Sequence, residues 1–166
     1  MEFMNKNEKR QARILALQAF FCFEQRKFEC DIKSVFDEVV SFSDVEEERK
    51  NEEILKVVAD NPSDLSENVK DYAFQVVKFA AANLKDIDKE LSKCTENWAL
   101  ERLNAIDRNL LRISVAEMDG KFYVPPKVVI NEAIEIAKIF GTNDSAKFVN
   151  AVLDRIKNEK TNEKQE

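Results

Sequence analysis

The chain contains, from Pro125 to Ile156, the stretch that decides its fold, PPKVVINEAIEIAKIFGTNDSAKFVNAVLDRI. Apolar residues recur at helical spacing on both sides of Gly141, and Pro126 suits a first helical position because its missing N–H is no loss there. We expect Gly141 to end the first helix in a left-handed conformation. Side-chain oxygens that can cap the next helix follow directly, on Asn143, Asp144 and Ser145. The stretch therefore predicts a helical hairpin.

Three polar residues of this stretch, Asn131, Glu132 and Asn150, lie between apolar neighbours in the sequence. Buried amides in folded proteins are nearly always hydrogen-bonded, and an amide side chain can both donate and accept. We therefore expect Asn131 and Asn150 to bind backbone groups at buried helix ends.

Length and composition predict a single all-α domain. The 166 residues suffice for one domain with its own core, and they include only two glycines and three prolines. A β-sandwich or α/β fold of this size needs many more turn residues. The helical bundle is expected to contain about seven helices and to extend over 1–166, with an acidic helical extension at about 43–64 and a frayed polar tail from about 158.

The helical pattern can be followed along the whole chain. The first helix is expected at 5–27, apolar on two sides, and the second at about 32–40, with Asp31 near its start. A third helix begins at Asp64 or Ser66 and breaks near 82–85 before a fourth. Trp98 to Met118 forms the helix that precedes the hairpin.

Composition also excludes several classes of protein. Without a histidine, His-based general base catalysis and His-containing zinc sites are excluded. Phosphate-binding glycine loops, a nucleophile elbow and metal-ligand spacings are missing, so we expect no enzyme, no metal and no cofactor. The three cysteines show no CxxC spacing, no apolar run reaches membrane-spanning length, and the N-terminus is too charged for a signal peptide. A cytoplasmic protein with reduced thiols is expected, with no membrane contact.

The net charge of −6 is concentrated in one segment. Residues 1–30 carry six basic and four acidic side chains, whereas residues 31–68 carry four basic and twelve acidic ones. The remaining residues, 69–166, carry sixteen of each. A local basic surface can therefore exist outside the acidic segment.

The first helix begins with such a basic surface. Lys6, Arg10 and Arg13 lie one turn apart on a single face, and Lys9 lies beside them. Cations at a helix N-terminus oppose the helix dipole, so stability alone would favour acids there. Cations in this position can reach the phosphates of a nucleic acid, but most basic helix starts do not bind one, so this pattern alone does not establish the function.

Three stretches together resemble the NusB family of bacterial transcription antitermination factors. They are KRQAR at 9–13, NWALERLNAIDRNLLRISVAEM at 97–118, and the pair INEAIEIAK and KFVNAVLDRI within the hairpin. The resemblance covers about 6–158. The chain departs from the family pattern at Ala151, where the family has glycine, which permits closer helix approach.

The resemblance implies a transcription antitermination factor that binds boxA-like single-stranded RNA together with NusE, a ribosomal protein of the small subunit. Within the transcription elongation complex, it would help RNA polymerase read through terminators in ribosomal RNA operons. The candidate RNA-binding residues are Lys6, Lys9, Arg10, Arg13, Arg102 and Lys147. The candidate NusE-binding residues are Phe21, Asp107 and Asp144.

An alternative function is a helical protein–protein interaction module without RNA binding of its own. NusB-like domains also occur fused to RNA cytosine methyltransferases, but such an enzyme needs a further cofactor-binding domain. Some relatives pair as homodimers through the RNA-binding face, and a first helix that is apolar on two sides is compatible with a homodimer.

Overall fold

The computed structural model describes residues 4–41, 62–95 and 98–163. The described ranges form seven α-helices and two short 3₁₀ turns, which confirms the predicted all-α class. The helices are α1 (Lys6–Gln25), α2 (Ile32–Ser41), α3 (Glu67–Ala82), α4 (Leu84–Cys94), α5 (Ala105–Asp119), α6 (Pro126–Phe140) and α7 (Ser145–Glu163), and the 3₁₀ turns are Pro62–Asp64 and Leu100–Arg102.

The chain divides into two compact units, Met1–Lys78 and Phe79–Glu166. The organisation as a single domain stays a prediction. Most of the expected acidic extension at 43–64 lies outside the described residues, and its last three residues form the first 3₁₀ turn.

In the first unit, α1 begins with a capping box. The Asn5 side chain accepts a hydrogen bond from the Glu8 backbone N–H at 3.0 Å, and the Glu8 carboxylate accepts one from the Asn5 N–H at 2.7 Å. These bonds satisfy two helix-end donors. They stabilise the helix start, which offsets the unfavourable interaction of the lysines in the first turns with the helix dipole. Further along, every residue from 15 to 20 is buried, which confirms that α1 has little room to face water.

The end of α1 reverses sharply through two residues in the left-handed region, Lys27 (φ 56°) and Phe28 (φ 59°). The reversal returns the Phe28 ring onto α1, where its centroid lies 5.1 Å from Phe23 and 6.1 Å from Phe20. Aromatic packing of this kind offsets the cost of the left-handed conformation. The chain then enters α2, whose Phe36 packs against Phe74 of α3 at 5.2 Å.

In the second unit, α6 and α7 form the predicted hairpin, and both pack against α5, while α4 packs against α5 and α7. The expected left-handed stop at Gly141 is wrong, because its φ is −86° and its ψ is −172°, which is extended backbone. Glycine is needed at position 141 because there is no room for a side chain. A Cβ at this position would lie 2.4 Å from the Ser145 Cβ and 2.7 Å from the Ala137 carbonyl oxygen.

The expectation for the two asparagines is wrong for Asn131, which is exposed in the middle of α6, and Asn150 is only half-buried. Glu132 is the buried polar residue, at 5% exposure. Ala151, which replaces the family glycine, is exposed on α7, so its methyl group faces solvent instead of a neighbouring helix.

The last turns of α7 are held to the rest of this unit. The Lys160 ammonium pairs with Glu90 of α4 at 2.7 Å and with Asp119 at the end of α5. Burial opposes the Lys160 charge, but the hydrogen bonds to Asp119 and Glu90 outweigh it and raise the pKa of Lys160. The helix therefore continues to Glu163, beyond the boundary expected near 158.

None of the helices in the described ranges is long and apolar enough to cross a membrane.

Candidate nucleic-acid and partner interface

The basic face of α1 passes from solvent into the core within two turns. Lys6 is exposed, Lys9 and Arg10 are half-buried, and Arg13 is only 5% exposed. The first three residues can present their charges to a phosphate in this conformation. Arg13 lies too deep to do so without rearrangement, and its RNA-binding role stays a prediction.

A second group of candidates lies around the start of α5. Asn104 caps this helix, because its side-chain oxygen accepts from the Asp107 backbone N–H at 2.8 Å. The Arg108 guanidinium donates to the carbonyl oxygens of Leu103 at 2.6 Å and Leu100 at 3.2 Å, and so supports the 3₁₀ turn. Arg102 ends that turn and is exposed, so its charge is available to a ligand.

Asp107 is an unusual member of this group, because it is 5% exposed. One of its carboxylate oxygens, Oδ2, accepts from the Asn104 side-chain amide at 2.6 Å. The other, Oδ1, is buried and has no hydrogen-bond partner among the described residues. A buried carboxylate oxygen without a donor costs free energy, although the N-terminal turn of a helix favours its negative charge. The carboxylate is therefore able to accept a donor from a bound molecule after a small movement of its surroundings.

The turn between α6 and α7 carries the other two candidates of this unit. Asp144 and Lys147 are both exposed. The turn is closed by the Thr142 N–H, which donates to the Ser145 hydroxyl at 2.9 Å, and by the Phe148 N–H, which donates to the Asp144 carbonyl at 3.0 Å. This bonding fixes the backbone and leaves the side chains of Asp144 and Lys147 facing solvent.

The start of α5 and the turn before α7 belong to the same end of the second unit. The end of α7 contacts the end of α5 through Lys160 and Asp119, and α5 packs against α7. The opposite ends of the two helices, with Asp107 and Asp144, therefore point the same way. Phe21 lies half-buried on α1, in the first unit, so its membership of one NusE-binding patch stays a prediction.

Sequence reasoning missed two exposed aromatic residues, Trp98 at 58% and Tyr123 at 91% exposure. Trp98 was assigned to a helix that in fact starts at Ala105, and Tyr123 lies in the connection between α5 and α6. The only signal for Tyr123 was its position between a glycine and two prolines, which predicts a loop.

A family model and curated relatives identify the family of this chain. A family model described as the NusB family matches residues 10–158. A transcription antitermination protein NusB from Chloroherpeton thalassium is 40% identical over 153 residues, which are 91% of this chain and 62% of that protein. The corresponding protein from Treponema denticola is 38% identical over 152 residues, covering 90% of this chain and 96% of its own length.

Two solved structures are similar as well. T. maritima NusB has a TM-score of 0.70 and 34% identity, with 89% of each chain covered. A structure of antitermination factors NusB and NusE in complex with dsRNA has a TM-score of 0.70 at 22% identity, with 92% of this chain and 97% of that chain covered, a likeness of fold. With the family model matching nine-tenths of its residues, this chain belongs to the NusB family.

Proposed function

We propose that this protein is a transcription antitermination factor that binds boxA-like single-stranded RNA together with NusE. In the elongation complex it helps RNA polymerase read through terminators in ribosomal RNA operons. The observation that carries the proposal is the family match over 10–158, which includes the start of α5 and the α6–α7 hairpin. The chain spans 62% of the length of the Chloroherpeton thalassium relative and 96% of that of the Treponema denticola relative.

The surface chemistry of the described residues supports an RNA-binding role. Lys6 is exposed and Lys9 and Arg10 are half-buried at a helix start that is stabilised by its own capping box. Lys147 and Arg102 add exposed cations to the second unit. Contacts of this kind supply affinity for phosphates, and bases are then read on unstacked RNA.

The acidic candidates support a protein partner instead. The exposed carboxylate of Asp144 and the incompletely bonded carboxylate of Asp107 both suit cationic donors. A basic ribosomal protein provides such donors, whereas RNA phosphates would be repelled. The proposal therefore assigns the cations to RNA and the two carboxylates to NusE.

The burial of Arg13 favours a second candidate function, an interaction module that binds protein and has little RNA affinity of its own. With one of four cations withdrawn, the basic surface of α1 is smaller than its sequence indicates. Under either proposed function the protein is not an enzyme and acts in the cytoplasm.

The two functions are separated by an electrophoretic shift with boxA-like RNA, carried out with the protein alone, NusE alone and the mixture. An antitermination factor of this family gives a shifted band that requires both proteins for full affinity, and a scrambled RNA of the same length competes poorly. An interaction module binds NusE, but the mixture shifts RNA no better than NusE alone.

A further inference from the structure

The connection between α5 and α6 carries one half-buried aromatic ring, Phe122, and one exposed ring, Tyr123. The Phe122 ring lies over Gly120, because a Cβ at Gly120 would be only 2.2 Å from its Cε2 atom. The same ring packs edge-on against Phe79, 6.3 Å between centroids, within the second unit. Pro126 occupies the first turn of α6 and fixes the other side of the loop. Between these anchors, Tyr123 is 91% exposed.

The backbone at Tyr123 is in the left-handed region, with φ 55°. This conformation costs a residue that has a Cβ about 1–2 kcal/mol of conformational free energy. At Phe28, which has a similar φ, packing of the ring against two other phenylalanines offsets the cost of the backbone conformation. At Tyr123 no ring packing offsets that cost, since the side chain is exposed to solvent. Folding of the chain alone therefore does not explain an aromatic residue at this position.

The side chains beside Tyr123 are positively charged. Lys121 and Lys127 flank it in the sequence, and both are exposed. Asp119, which ends α5 four residues before Tyr123, is paired with Lys160. A loop that presents an exposed aromatic ring and has an exposed lysine on either side in the sequence suits an unpaired nucleotide, which offers a base to stack on the ring and phosphates to the lysines.

We propose that Tyr123 is a stacking platform for an unpaired base of the RNA, with Lys121 and Lys127 contacting the adjacent phosphates. This inference rests on the proposed function and adds a contact that the basic face of α1 does not provide. Stacking tolerates any base, so the loop contributes affinity and position along the RNA, while base identity is read elsewhere. The left-handed backbone keeps the ring exposed before RNA arrives, which lowers the ordering cost of binding.

The test compares matched variants in the complex with NusE, using boxA-like RNA in which one base at a time is replaced by the fluorescent analogue 2-aminopurine. Tyr123→Ala should weaken RNA binding about 5- to 150-fold. Its salt dependence should be unchanged, because an aromatic ring releases no counterions. Tyr123→Phe should bind within about twofold of the unchanged protein, since the ring remains. The matched control is Ile139→Ala, an exposed apolar residue in the last turns of α6, and it should have no effect.

One position of 2-aminopurine should be quenched by the unchanged protein and by Tyr123→Phe, but not by Tyr123→Ala. Replacing both Lys121 and Lys127 by Ala should lower the salt slope by about 1.4 units, at 0.7 per single-strand contact. Normal RNA affinity and quenching in Tyr123→Ala would overturn the inference and leave the proposed function standing. If Tyr123→Ala instead weakened NusE binding in the absence of RNA, the inference would be overturned, because Tyr123 would then contact the protein partner. Failure of the unchanged complex to bind RNA would remove the proposed function together with this inference.

Discussion

The salt dependence of RNA binding should report directly on the start of α1. We consider the double change Lys6→Ala and Lys9→Ala, which removes one exposed and one half-buried cation without touching the capping box of Asn5 and Glu8. Each phosphate contact to single-stranded RNA contributes about 0.7 to the slope of log K against log salt. The double variant should therefore lose about 1.4 units of slope.

The same relation gives the expected loss of affinity. At 0.15 M salt each contact is worth about fourfold relative to the 1 M reference, so losing two should weaken RNA binding about 14-fold. Both quantities follow from fluorescence anisotropy titrations of labelled RNA at four or five salt concentrations, with NusE present. Lys89→Ala with Lys93→Ala is the matched control, since it removes two exposed charges from α4.

Equal slopes for the double variant and the unchanged protein would refute the assignment of this helix start to the RNA site. If the α4 control lost as much slope and RNA affinity as the double variant, the change in net charge alone would explain both losses. Arg13→Ala is predicted to behave differently from both, because Arg13 is buried. Its main effect should be a lower free energy of unfolding, measured by urea denaturation.

Three further predictions concern the second unit. Lys160→Met should lower the free energy of unfolding by about 1–2 kcal/mol, because Lys160 links α7 to Glu90 of α4. Lys157→Met should lower it by less than about 0.5 kcal/mol, because the partner of Lys157 is Asp154 on the same helix. Because the pKa of Lys160 is raised, its contribution should be complete below about pH 10 and lost as the pH rises through that raised value, as urea denaturation at several pH values would show. Gly141→Ala should cost about 1–3 kcal/mol in thermal unfolding because its Cβ overlaps the first residue of α7, whereas Ala151→Gly, at an exposed helical site, should cost about 1. Burial and a hydrogen bond to a carboxylate raise the pKa of Cys94 to about 11, so its alkylation by iodoacetamide at pH 8 should be much slower than that of the other two cysteines, as peptide mass spectrometry would show.

Local signals in the sequence located most of the helices. Pro126 marks the start of α6, and the break expected near 82–85 separates α3 from α4. The helix expected from Trp98 instead begins at Ala105, because Asn104 caps it and the preceding residues form a 3₁₀ turn. Helix starts were found where a proline or a capping side chain marks them, because these signals act within a few residues.

The misassigned asparagine shows where reading along the chain fails. Asn131 stands between apolar residues in the sequence, but on the helix it shares a stripe with Lys127 and Lys138, four residues before and seven after. Helical spacing alone would have placed it in solvent. At Gly141 the reason for the glycine is the close approach of α7, which only the packed hairpin reveals.

The candidate site could be predicted as residue types but not as an arrangement. Lys6 and Arg13 lie on one face of α1, yet one is exposed and the other buried, because burial depends on what packs around the helix. The unpaired oxygen of Asp107 and the outward ring of Tyr123 likewise depend on tertiary structure. The sequence predicts a loop at Tyr123, but not that its ring points outward.

Multi-angle light scattering of the purified protein with NusE and boxA-like RNA tests the central claim most directly. We expect a single species whose mass equals one copy each of the protein, NusE and the RNA, and this species should dissociate as salt is raised. A complex with NusE from which the RNA elutes separately, at low salt and at concentrations well above the expected dissociation constant, would contradict it.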